Sequence, residues 1–142
     1  EAAMMPARCM PAGPQGPSLD DFEAGTFEAG EFSHRAHVFV AWSYLQQYDL
    51  LESIRRFTAA LRRFTQSIGQ AHKYHETISW FFIILVAERR KGAAADDWLL
   101  FAQQNPDLLQ PGGKLLRRYY SQDVLDSDRA RRQFLLPDFP QR

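Results

Sequence analysis

His72-Lys73-Tyr74-His75-Glu76-Thr77-Ile78-Ser79-Trp80-Phe81-Phe82-Ile83-Ile84-Leu85-Val86-Ala87 is the stretch on which the fold turns. From Trp80 to Val86 every side chain is apolar, so a helix here would be apolar on all sides and must be enclosed by the rest of the chain. The run ends at Glu88-Arg89-Arg90-Lys91, far short of the ~20 apolar residues that a membrane span requires. A buried core helix over about His72 to Arg90 follows, with a polar gate at its start.

Working outward, the preceding segment carries the clearest amphipathic signal. Leu50, Ile54, Phe57, Leu61, Phe64 and Ile68 recur every three or four residues, while Arg55, Arg56, Arg62 and Arg63 fall on the opposite face. Gly69 is placed to end that helix in a left-handed cap. Those arginines read as a solvated face, because nothing glycine-rich accompanies them to hold a phosphate. An earlier helix starts at Ser33 as N-cap and puts His34, Val38, Ala41 and Leu45 on one stripe, with His37 beside it and Trp42 flanking.

After Arg90 the elements shorten. A helix over about Asp96 to Gln104 would turn Trp98, Leu99 and Phe101 inward, and Asn105-Pro106 and Pro111-Gly112-Gly113 mark turns. Leu115, Leu116, Tyr119 and Tyr120 suggest a helical turn, and Ser121 and Ser127 read as further N-caps. Nothing alternates with period two over a useful length. The expected class is therefore all-α, a compact bundle of about three long helices with shorter C-terminal ones.

Two segments are expected, an N-terminal arm over residues 1–21, disordered or extended, and a single helical domain over residues 22–142. The arm is rich in Pro, Gly, Ala and Met, and its four prolines before Leu19 leave no room for a secretory apolar region. Phe22-Glu23-Ala24-Gly25 and Phe27-Glu28-Ala29-Gly30 echo each other, and their phenylalanines could pin the arm to the bundle.

Composition narrows the partners. With 142 residues the chain can bury a core, and its 17 basic and 17 acidic residues cancel, which disfavours nucleic acid or an anionic membrane as partner. One cysteine, Cys9, forbids an internal disulfide and fits a soluble, cytoplasmic protein. Cys9 has no histidine near it in sequence, and no Gly-x-Ser-x-Gly elbow exists, so neither nucleophile is favoured.

All four histidines fall into two pairs of spacing three, His34/His37 and His72/His75, and Glu76 follows the second pair. Residues three or four apart share a helix face, and imidazoles with a carboxylate suit zinc, iron or manganese. In an up-down-up arrangement the first and third long helices run parallel, and both pairs would meet at one end of the bundle. His34, His37, His75, Glu76 and His72 are thus the candidate ligands of a divalent metal or contacts for a small polar ligand. Glu76 is the candidate general base if there is a reaction, a question the residues leave open. Against this, His72-x-x-His75-Glu76 matches no metalloprotease pattern, and a histidine often only caps a helix or bonds a carbonyl. The rival is a non-enzymatic interaction or regulatory module, with structural histidines, in which the C-terminal Tyr/Arg segment docks a partner and the chain can form a dimer.

Phe32-Ser33-His34-Arg35-Ala36-His37, Lys73-Tyr74-His75-Glu76-Thr77, and Tyr119-Tyr120-Ser121 with Ala130-Arg131-Arg132 and Phe134 together resemble the motifs of a family of small uncharacterised bacterial all-helical proteins. The resemblance spans about Phe22 to Asp138. It implies a shared role for His34, His37, His75 and Glu76, leaves His72 just outside the motif, and supplies no reaction. Ala36 stands where some members carry an acid, which weakens the carry-over of any ligand set that uses it.

Overall fold

A computed structural model describes residues 15–111 and 113–139, so Cys9 and most of the N-terminal arm lie outside the described residues. The described residues are helical with no strand: α1 (Leu19–Ala24), α2 (His34–Gln47), α3 (Leu50–Ser67), α4 (Glu76–Arg89), α5 (Trp98–Gln104), α6 (Gln122–Leu125) and α7 (Asp128–Arg132). None of these helices is long and apolar enough to cross a membrane.

Side-chain caps set the helix starts. Ser33 accepts from the Ala36 N–H, Asp49 from Glu52, Ser121 from Val124 and Ser127 from Ala130, each satisfying a donor that the first turn leaves free. Gly69, at φ 71°, follows α3 in the left-handed conformation that glycine adopts without a Cβ penalty.

The helices α2, α3 and α4 pack on one another, and α7 covers a further side of α4. The Arg90 guanidinium donates to the Gln46 amide oxygen, so the C-terminal ends of α2 and α4 adjoin and the up-down-up course holds. As its composition requires, α4 is enclosed: Ile83 and Val86 are fully buried. Yet α2 is enclosed equally, with Val38, Val40, Ala41 and Tyr44 all at 0% exposure. Its outer face is covered by α5, whose Trp98 and Phe101 turn inward as expected while Leu99 is exposed, and by α1, which the periodicity did not reveal. Trp98 of α5 meets Phe39 and Trp42, and Phe22 of α1 meets Tyr44, whose hydroxyl donates to Glu23 at 2.7 Å.

Two expectations change here. Leu19, Asp20 and Asp21 belong to α1 rather than to an extended arm, because Ser18 caps the Asp21 N–H and Phe22 is driven into the core. The phenylalanines of the echo do pin this segment: Phe22 stacks on Phe57 and Phe27 on Phe64. The core helix starts at Glu76 rather than near His72, since Ala71–Lys73 form a separate 3-10 turn. The helical turn expected at Leu115–Tyr120 is present, as a 3-10 turn over Leu116–Arg118.

The C-terminal segment is strapped to α4 by one hydroxyl. Thr77 donates to the Gln133 carbonyl at 2.8 Å and accepts from the Leu135 N–H at 3.1 Å. Phe134 stacks on Trp80 with centroids 5.1 Å apart.

Candidate functional site

Placing His75 outside α4 changes its chemistry. It is the N-cap, and its Nδ1 accepts from the Ile78 N–H at 3.2 Å, so that nitrogen carries the lone pair. Nε2 therefore carries the proton and donates to the Leu125 carbonyl at 2.8 Å. Both nitrogens are engaged, and the ring is fixed as one neutral tautomer. Burial, then the nearby Arg131 charge, holds its pKa below the usual imidazole value, although the Leu125 bond and Asp126 oppose this. The cap also ties the start of α4 to α6, fifty residues downstream.

Glu76 turns away from His75. It accepts from Arg62 at 2.7 Å and from the Tyr74 hydroxyl, and the Arg62 guanidinium lies 4.8 Å from the Tyr74 ring centroid. Desolvation, then the Glu76 hydrogen bond, pushes the Tyr74 hydroxyl well above its ordinary value. Glu76 thus joins α3 to α4 and is already occupied by two donors.

The other pair lies elsewhere. His34 Nε2 donates to the Leu108 carbonyl at 2.9 Å, and its ring meets Phe82 edge-on, well inside α4. His37 stacks on Phe57 and stands 6.2 Å from the His34 ring. Its Nε2 is shielded from solvent and has no hydrogen-bond partner among the described residues, and burial, helped by the charge of His34, pushes its pKa down to about 3. The structure therefore brings His34 and His37 together but does not bring His75, Glu76 or His72 to them. Among the described residues no group of three or more His, Cys, Asp or Glu is placed to hold a metal ion. The expected convergence fails because His75 is turned by its capping bond toward α6, while His34 and His37 face the flank of α4.

What gathers around His75 is a cleft of about 470 Å³ between the 3-10 turn at His72 and the segment from Gly113 to Arg131. Lys73, Arg117 and Arg131 line it against one carboxylate, Asp126, which accepts from the Gln122 amide at 2.9 Å. Ile78, Leu116 and Leu125 supply apolar walls, and His72 stands exposed at the rim. Arg131 donates to the His72 carbonyl at 2.8 Å and so closes one end, whereas the Arg117 guanidinium lies over Gly113, where an added Cβ would stand 2.6 Å from Nη1. Lys73, Arg117 and Arg131 form a cationic rim above an apolar floor. Lys73 is the first residue of the Lys73–Thr77 motif, but Arg117, Gln122 and Asp126 belong to a separate part of the chain. Only the fold joins them.

Arg132, by contrast, pairs with Asp128 at 3.2 Å on the exposed face of α7. Comparison with models of known families, with curated proteins and with solved structures gives no match.

Proposed function

We propose that this protein is a binding module for a small organic anion, seated in the cleft beside His75. The observation that carries the proposal is the lining itself: Lys73, Arg117 and Arg131 stand against Asp126 alone, over Ile78, Leu116 and Leu125. A carboxylate or phosphate ester with an apolar body would place its charge at the cationic rim and its body on that floor. The volume falls within the range of sites that enclose small molecules, ~300–1,000 Å³. His75 acts here by position, holding α6 and the start of α4 at a fixed separation.

Calorimetric titration with phenyl phosphate, benzoate and benzylamine tests this. The two anions are expected to bind and the amine not, with Arg117→Gln and Lys73→Gln each weakening phenyl phosphate about tenfold, as expected for loss of one charge-assisted contact. Equal binding of amine and anions, or no effect of either substitution, would sink it.

A divalent metal is the second reading, and what supports it is His37 Nε2, unpartnered among the described residues, beside His34. Metal content of the purified and zinc-, iron- or manganese-loaded protein, compared with His37→Ala, separates this from anion binding, because phenyl phosphate should bind the metal-free protein equally well.

A further inference from the structure

Away from the basic cleft, a second cavity of about 310 Å³ opens between α4 and the C-terminal segment. We infer that this slot binds a small organic cation, an aliphatic or aromatic ammonium whose charge sits between its aromatic walls and Glu88. Its walls are rings held in place by the fold. Phe81 lies 4.9 Å from Tyr119 and meets Tyr120 edge-on at 5.7 Å, while Phe134 is backed by its stack on Trp80. Tyr120 is fully buried and donates its hydroxyl to the Leu135 carbonyl at 2.7 Å, so the ring cannot swing out without losing that bond. Pro137 and the exposed Leu136 form the lip.

Charge then selects among apolar occupants. Among the described residues Glu88 is the only charged side chain lining the slot, and it makes no hydrogen bond or ion pair with any of them. The nearest cation on the same helix, Arg89, is held in a two-pronged pair with Asp107 at 2.7 and 3.0 Å. Aromatic faces attract a weakly hydrated cation, and an unpaired carboxylate at the rim adds to that field. A neutral apolar molecule gains only the wall contacts, and an anion meets Glu88.

Titrating the full chain with hexyltrimethylammonium, hexanol and hexanoate decides it. The ammonium is expected to saturate one site about tenfold more tightly than hexanol, with hexanoate weakest, from the combined ring and carboxylate attraction. Glu88→Gln, an exposed change that leaves the core intact, should bring the ammonium to within about threefold of hexanol. Lys73→Gln, in the other cleft, should leave ammonium binding unchanged. Hexanol binding as tightly as the ammonium, no saturable binding of any probe, or ammonium binding indifferent to Glu88→Gln would overturn the proposal. So would a dimer in solution that Leu136→Ser dissolves, since a second copy would then cover the slot.

Discussion

At the scale of single residues, His75 shows how one imidazole can serve as an N-cap and as a long-range strut. Replacing it with alanine leaves the Ile78 N–H and the Leu125 carbonyl unpaired in a partly dry setting, at a cost of about 2 kcal/mol. Asparagine can restore the cap but cannot reach Leu125 in the same way. Urea denaturation should therefore rank wild type above His75→Asn and His75→Asn above His75→Ala; equal midpoints would mean that neither bond contributes. The sequence marked His75 as special, and its role as a cap was among the alternatives for any histidine. It could not show that both nitrogens would be used, because Leu125 lies fifty residues away. Glu76 is similar: Arg62 and Tyr74 were visible as residues, but their convergence on one carboxylate depends on how α3 returns to α4.

At the scale of elements, the strongest periodic signals were the most reliable. The amphipathic stripe of α3 and the Ser33, Ser121 and Ser127 caps were legible because local chemistry determines them. The boundary at Glu76 was not, since residues before an N-cap can continue an apparent helical pattern while their backbone is extended, as at Tyr74 and His75. Nor did any periodicity announce that the C-terminal segment would be fastened by Thr77. That hydroxyl is the hinge of the element's attachment. Thr77→Val keeps the shape but leaves the Gln133 carbonyl and Leu135 N–H without their partner, a loss of about 1–3 kcal/mol. Limited proteolysis should then cut between Gln133 and Phe139 faster than in wild type, and unchanged cleavage would show that the Phe134 stack and the bonds from Tyr120 to Leu135 and from Ser121 to Asp138 secure the segment without Thr77.

At the scale of the whole molecule, His34, His37 and His75 all have pKa values lowered by burial, with His37 near 3. Between the unfolded value near 6.5 and these folded values, the unfolded chain binds more protons, so stability must fall as pH falls from about 6.5. His37 alone accounts for about 2 kcal/mol between pH 7 and pH 5. Thermal unfolding should show this acid loss, and His37→Phe should flatten it; a profile unchanged by that substitution would mean that the ring is not held neutral. The all-α class was readable because nothing in the chain alternates. The basic cleft was not, because Lys73 and Arg117 are neighbours only after the chain has folded back on α4.

The central claim is that this cleft receives a small organic anion, and an amide chemical-shift map with phenyl phosphate tests it most directly. Saturable shifts are expected at His72–Ile78, Gly113–Arg117 and Gln122–Asp126, reduced in Arg117→Gln. Shifts centred on His34 and His37, or none that saturate, would contradict it.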